Sequence, residues 1–194
     1  RVDRICVAYA GMEKYFPKEK VLMTGNPVRQ EVVRLTGKRP RGMEQFELCE
    51  GSPVLFITGG SLGARGVNRG VEAALPLFKE AGLQVIWQTG TPYFKQALDA
   101  VAKLNYTDCK VLEFVTKMDY AYAVADLVVA RAGAISVSEL CLVRKPAILV
   151  PLPTAAEDHQ THNARALTDN GAAVLLRDDE AVEKLGTMVV ELIK

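Results

Sequence analysis

A chain of 194 residues that is 49% hydrophobic can bury a full core, and it suits one α/β domain with some excess at the ends. Its 24 basic and 23 acidic side chains leave a formal charge of +1 with no like-charge tail, so electrostatics give no reason to expect nucleic acid. No apolar run approaches the ~20 residues needed to span a bilayer, and no charged-then-apolar secretion signal opens the chain, so a soluble protein is expected, with peripheral membrane contact left open.

The chain begins at Arg1, without Met, and runs almost directly into the apolar stretch Ile5–Tyr9, which reads as a fragment of a longer protein. Val21–Met23 is the next strand-like run. In Gly25-Asn26-Pro27-Val28-Arg29, Pro27 suits a turn or helix entry, and Arg29 is expected in the first turn of a helix over Val28–Leu35. A cation there opposes the helix dipole, which makes sense facing an anion; a solvated surface arginine fits equally well. Pro40, Arg41 and Gly42 interrupt the pattern. Residues before about Thr24 are expected to belong to a neighbouring domain or connector.

Val54–Ile57 then runs as a buried strand into Gly59-Gly60-Ser61-Leu62-Gly63 and a helix over Ala64–Phe78. Glycines let backbone amides approach a diphosphate, and Ser61 adds a hydroxyl donor, so Gly60, Ser61 and Gly63 read as a phosphate cradle. A tight turn that merely needs glycine fits the same residues. The Lys-Ser/Thr ending of a P-loop is absent, and Gly60-x-x-Gly63-x-x-Gly66 is not the dinucleotide spacing, which disfavours an ATPase or a dehydrogenase.

The strand Gln84–Trp87, a helix over Tyr93–Leu104 and the strand Lys110–Phe114 follow. After the last lie Phe114, Val115 and Met118, where an aromatic or thioether group can cover a flat base while backbone groups read its edge; core packing is the competing role. A helix over Asp119–Ala125 leads to the most informative segment, Leu127–Glu139: a strand (Leu127–Val129), a glycine turn (Arg131-Ala132-Gly133) and a helix over Ile135–Leu142. Its free N–H groups favour phosphate, and Glu139, one turn in, is placed to accept hydrogen bonds from two ribose hydroxyls. Any βα unit needs such a turn.

The strand Ala147–Val150 precedes the polar stretch Pro151–Asn163, a helix over Thr161–Asn170, the strand Ala173–Leu176 and a helix over Glu180–Ile193. His159 and His162, with Glu157 or Asp158, invite a metal, but lack a third well-placed ligand, and no metal is expected. Asp158, His159, Gln160 and Asn163 suit a sugar's hydroxyls better. Cys6, Cys49, Cys109 and Cys141 are widely spaced, without C-x-x-C, and are expected to be reduced, buried thiols of a cytoplasmic protein. Apolar runs alternating with helices define an α/β, Rossmann-like, doubly wound parallel sheet.

TGNPVR (Thr24–Arg29), GGSLGAR (Gly59–Arg65), FVTKM (Phe114–Met118), RAGAISVSE (Arg131–Glu139) and EDHQTHNA (Glu157–Ala164), in order over nearly the whole chain, resemble the MurG family of glycosyltransferases. That family transfers N-acetylglucosamine from UDP-N-acetylglucosamine to lipid I, giving lipid II for peptidoglycan and so for cell-wall biogenesis, cell shape and division. The resemblance implies a GT-B enzyme of two Rossmann-like domains. Residues 25–194 would be the donor-binding domain, and 1–24 the end of the amino-terminal domain and the connector. It implies that Arg29 and Gly60, Ser61 and Gly63 meet the diphosphate with the helix start at Ala134, Ile135 and Ser136. Backbone groups of Val115 would read the uracil between Phe114 and Met118, Glu139 would hold the ribose, and Gln160 with Asn163 would contact the sugar.

Some members have two adjacent glutamines where this chain has His159-Gln160, which leaves His159 without an assigned role. No cofactor or obligatory divalent ion is implied, and no catalytic residue is assigned within the chain, since the family's base and acceptor loop lie in the amino-terminal domain. The fragment is therefore expected to bind donor without turning over, and the whole protein to act peripherally at the cytoplasmic face of the bacterial inner membrane. Another GT-B UDP-sugar enzyme, such as a glycolipid glycosyltransferase or UDP-N-acetylglucosamine 2-epimerase, would use similar loops, as would a non-catalytic nucleotide-binding subunit of a membrane-bound transferase.

Overall fold

The computed structural model describes residues 2–8 and 11–193. Two short strands, β1 (Ile5–Val7) and β2 (Val21–Met23), pair in parallel with Ile5 opposite Val21 and form a sheet of their own. The expected run to Tyr9 ends, beyond Ala8, outside the described residues. The other strands are β3 (Val54–Thr58), β4 (Gln84–Gln88), β5 (Cys109–Leu112), β6 (Leu127–Ala130), β7 (Ala147–Leu149) and β8 (Val174–Leu175). They form one six-stranded sheet in the order β5-β4-β3-β6-β7-β8, parallel at every pairing. Counted from β3 this is the 3-2-1-4-5-6 order of a doubly wound sheet, whose order reverses between β3 and β6.

The central strands are mostly apolar because both faces are covered. Leu55, Ile57, Val85, Trp87, Leu127 and Val129 point into one core with helices α3 (Arg65–Glu80) and α8 (Ala181–Leu192). The alternate residues Val54, Phe56, Ile86, Val128 and Ala130 point into the other, with α5 (Met118–Val124) and α6 (Ala134–Val143). This period-two alternation across a two-sided core sets the register: a one-residue slip would exchange the two cores.

Helices α4 (Thr91–Lys103) and α7 (His159–Thr168) complete the βα alternation. The amino-terminal helix is shorter than expected: α1 covers Gln30–Val33, and Arg29 caps it from extended backbone rather than sitting in its first turn. Pro40, Arg41 and Gly42, expected to break the pattern, instead lie inside a helix, α2 (Arg39–Gln45). Proline is tolerated in a first helical turn, where its missing N–H would have no intrahelical acceptor. Glycine is demanded at 42 because a Cβ there would lie 2.9 Å from the Tyr120 carbonyl oxygen of α5. Lys38 fastens this segment to α5 through Asp119 Oδ2 at 2.7 Å.

The cysteine expectation is corrected in part. All four thiols are free, but only Cys109 is buried; Cys6, Cys49 and Cys141 are exposed. Apolar sequence neighbours do not bury a residue at the end of a helix or on an edge. Among the described residues no helix is long and apolar enough to cross a membrane.

Candidate nucleotide site at the strand carboxyl ends

Strands β3 and β6 are neighbours, with Thr58 opposite Ala130, so their carboxyl ends open side by side where the strand order reverses. Each runs into a helix with no side-chain cap: Ala64 precedes α3 and Gly133 precedes α6. Among the described residues no side chain caps the first-turn amides of either helix, so both helix starts offer free N–H groups at the carboxyl ends of neighbouring strands.

The loop after β3 is held by glycine. Gly63 adopts φ +75°, and a Cβ there would fall 2.0 Å from the Thr89 carbonyl oxygen; one on Gly90 would fall 2.5 Å from the Leu62 carbonyl carbon. The two turns thus interlock backbone to backbone, with Gly60, Ser61 and Leu62 left at the exposed tip. At the base of the tip is a residue that sequence reasoning missed. Gln88, the last residue of β4, is 2% exposed; its Nε2 donates to Gly60 O at 2.8 Å and Thr58 Oγ1 at 3.2 Å, and its Oε1 accepts the Val115 N–H at 2.8 Å. One buried amide therefore joins the Gly60 loop to the Val115 loop. Its only signal in the sequence was a polar residue closing an apolar strand.

The base loop differs from expectation in detail. Strand β5 ends at Leu112, which leaves Phe114 outside it and 55% exposed, open to a flat ligand. Val115 is buried and its N–H is already engaged by Gln88. Met118 begins α5 and packs, partly buried, against the core on the α5 and α6 face of the sheet.

Around α6, Ala134 and Ser136 are half-buried at the helix start and Ile135 is exposed. Asn26, in the segment after β2, donates from Nδ2 to Ser138 Oγ at 2.9 Å, which brings the Asn26–Arg29 stretch beside the α6 amino end. Arg29 is exposed and makes no ion pair among the described residues. Glu139 is 7% exposed, and its Oε2 accepts the Tyr122 hydroxyl at 3.0 Å. Burial first, then the Glu139 carboxylate, raises the Tyr122 hydroxyl well above the ordinary phenol range, which keeps it a donor.

Arg131, of the turn after β6, was not singled out from the sequence. Its guanidinium lies 2.6 Å from Asp178 Oδ1 and donates to the Val150 and Pro151 carbonyls, clamping together the carboxyl ends of β6, β7 and β8. Asn163, expected at the sugar, is buried and donates to Ala132 O at 3.1 Å, so it shapes the same turn. Among the described residues Gln160 makes no hydrogen bond through its amide nitrogen, while its Oε1 accepts the Leu152 N–H at 3.0 Å. His159 is exposed, with Nδ1 2.8 Å from Ala156 O. Among the described residues no three His, Cys, Asp or Glu side chains gather to hold a metal ion.

The doubly wound parallel sheet is the fold of one half of a GT-B glycosyltransferase. Residues 54–194 match the family described as the glycosyltransferase family 28 C-terminal domain, and the chain belongs to that family. It is 44% identical over 193 residues to the UDP-N-acetylglucosamine--N-acetylmuramyl-(pentapeptide) pyrophosphoryl-undecaprenol N-acetylglucosamine transferase of Parabacteroides distasonis, covering 100% of this chain and 52% of that protein. The Porphyromonas gingivalis protein of the same name is 49% identical over 196 residues, covering 98% and 51%. Among solved structures, the crystal structure of Acinetobacter baumannii MurG superposes with a TM-score of 0.73 at 29% identity, covering 99% of this chain and 52% of that one. The chain spans about half the length of these relatives.

Proposed function

We propose that this chain is the donor-binding half of an inverting N-acetylglucosaminyltransferase that makes lipid II from lipid I. Residues 25–194 would form the donor domain, and 1–24 the end of an amino-terminal domain and the connector. The observation that carries the reading is the pair of uncapped helix starts at the β3/β6 reversal with Glu139 one turn into α6. The relatives' printed name supplies the sugar nucleotide and the acceptor.

In this reading the diphosphate lies between the Gly60–Gly63 loop and the amides of Ala134, Ile135 and Ser136, with Arg29 adding a cation. Glu139 accepts the ribose hydroxyls, the Val115 loop and Phe114 take the uracil, and the Gln160 amide nitrogen meets the sugar. Turning an α-linked sugar nucleotide into a β-linked product requires a base on the acceptor hydroxyl and stabilisation of the departing diphosphate. The helix dipoles, amides and Arg29 supply the second. The base and the lipid acceptor cleft belong to the remainder of the enzyme, which would work peripherally on the cytoplasmic face of the inner membrane.

Calorimetry with UDP, UDP-N-acetylglucosamine, ADP and GDP tests the reading. The two uridine ligands should bind more tightly than the purine diphosphates, whereas equal binding of all three diphosphates would remove the base assignment.

A further inference from the structure

Asn68 closes the first turn of α3. Its N–H donates to the Ala64 carbonyl at 2.8 Å, so it follows directly on the amides of Arg65, Gly66 and Val67, which no side chain caps. Its own side chain is 2% exposed and bonds to the end of β4 and the turn beyond: Nδ2 donates to the Thr89 carbonyl at 2.8 Å, and Oδ1 accepts the Trp87 indole N–H at 3.0 Å. The partners fix the orientation of the amide, since a carbonyl only accepts and an indole N–H only donates. Trp87 and Thr89 are fully buried, so no water replaces either bond cheaply. The Thr89 carbonyl is in turn the seat of the Gly60–Gly63 loop: there is no room for a Cβ between Gly63 and that oxygen, nor between Gly90 and the Leu62 backbone.

We infer that Asn68 is a positioning residue of the diphosphate subsite: with Trp87 holding its amide in register, it ties the Thr89 carbonyl to the first turn of α3 and so fixes the spacing between the Gly60–Gly63 loop and the α3 helix start. Backbone donors act on a diphosphate only within hydrogen-bond distance and a limited angle, so a loop that drifts against the helix start loses part of the donor set. One short planar amide can accept from Trp87 and donate to Thr89 at once; a leucine of similar size does neither. Asn68 acts through Thr89 and Gly63, without a contact of its own to ligand. The inference rests on the donor-site reading above.

Uridine lacks the diphosphate and so supplies an internal reference. UDP and uridine are titrated against the wild type and three variants of this chain, with melting temperature recorded in parallel. Asn68→Leu removes both bonds. Trp87→Phe keeps an aromatic ring in the core but removes the donor that holds the Asn68 amide. Val189→Ala opens the same core from α8, away from the loop, and controls for general loosening. The wild type should bind UDP more tightly than uridine. Asn68→Leu should lower the UDP:uridine affinity ratio about tenfold, the scale of one buried hydrogen bond, and Trp87→Phe about threefold. Val189→Ala should melt lower and keep the wild-type ratio. Partial unfolding weakens both ligands by the same factor, so the ratio still decides for a destabilised variant, and Trp87→Phe decides if Asn68→Leu does not fold. An unchanged ratio in Asn68→Leu or Trp87→Phe, or an equal fall in Val189→Ala, overturns the inference while leaving donor binding in place. A wild type that binds UDP no more tightly than uridine also overturns it, and one that binds neither overturns the donor-site reading itself.

Discussion

The Tyr122 hydroxyl donates to Glu139 Oε2 across the α5–α6 contact at 3.0 Å, and both side chains are buried. Tyr122 is itself fixed edge-on to Phe56 of β3, ring centroids 5.7 Å apart. A carboxylate proposed to hold a ribose is therefore aimed by a phenol packed on the sheet. Preorganisation of this kind spares the ligand the cost of ordering the side chain.

Glu139 should accordingly show two separable effects. Glu139→Ala orphans the buried Tyr122 hydroxyl and should cost about 1–3 kcal/mol of stability, besides weakening UDP binding by about 1.5–3 kcal/mol through loss of a charged acceptor. Glu139→Gln retains an oxygen for Tyr122 and should melt near the wild type while still binding UDP more weakly. Thermal unfolding and calorimetry on both variants check this; UDP binding by Glu139→Gln at wild-type strength would show that the carboxylate is only structural.

Arg131 illustrates the opposite case, a site-motif residue whose contacts are all structural. The guanidinium is 11% exposed and Asp178 20%, and the pair joins three strand ends. Arg131→Met removes the cation from Asp178 and two donors from the Val150 and Pro151 carbonyls and should cost about 1–3 kcal/mol, whereas the double change with Asp178→Leu should recover part of it. Urea titration of the two single variants and the double variant measures the coupling, and simple additivity would remove the clamp.

Legibility in the sequence followed burial. Strands covered on both faces, such as Val54–Thr58 and Leu127–Ala130, announce themselves as apolar runs, and the glycine turns after them mark where helices begin. Helix α2 was hidden because Pro40 and Gly42 are breakers in isolation; it forms because one sits in the first turn and the other meets the Tyr120 carbonyl. Among site residues, the loops could be placed by spacing, but the division of labour within them could not. Asn163, Arg131 and Gln88 are polar residues near a proposed ligand, and what each does depends on which carbonyl or amide the fold brings opposite, a long-range relationship that local pattern does not encode.

High pH should destabilise the fold in a defined direction. Burial pushes the Cys109 thiol from 9.0 up to about 12, and burial raises the Tyr106 and Tyr122 hydroxyls above their usual 10.0. The unfolded chain releases these protons first, so above pH 9 it binds fewer than the native state, and unfolding free energy falls as pH rises, by about 1.4 kcal/mol per unit for each group that has titrated only in the unfolded chain. Lys145, whose pKa burial lowers, opposes this, since the unfolded chain there holds the extra proton. Denaturant midpoints from pH 8 to 11 should decline. Alkylation at pH 8 should label Cys6, Cys49 and Cys141 in native protein and Cys109 only after unfolding, as mass spectrometry of the adducts would report.

Donor binding and sugar transfer should separate experimentally. The proposed donor groups all come from this chain: the α3 and α6 helix starts, the Gly60–Gly63 loop, Arg29 and Glu139. Transfer also requires a base within hydrogen-bond reach of the attacking hydroxyl and a cleft that orients the lipid acceptor. Of the groups near the proposed sugar end, Glu139 is buried against Tyr122, whereas His159 is exposed with Nδ1 on the Ala156 carbonyl and Nε2 turned elsewhere, which makes it the first group of this chain to test for that role. With labelled UDP-N-acetylglucosamine and a lipid I analogue, this chain should bind donor yet form no lipid II above background, and the same chain joined to the rest of its enzyme should turn over. Turnover by residues 1–194 alone would place the base among them, make His159→Ala the next variant to assay, and overturn the division between donor binding and catalysis.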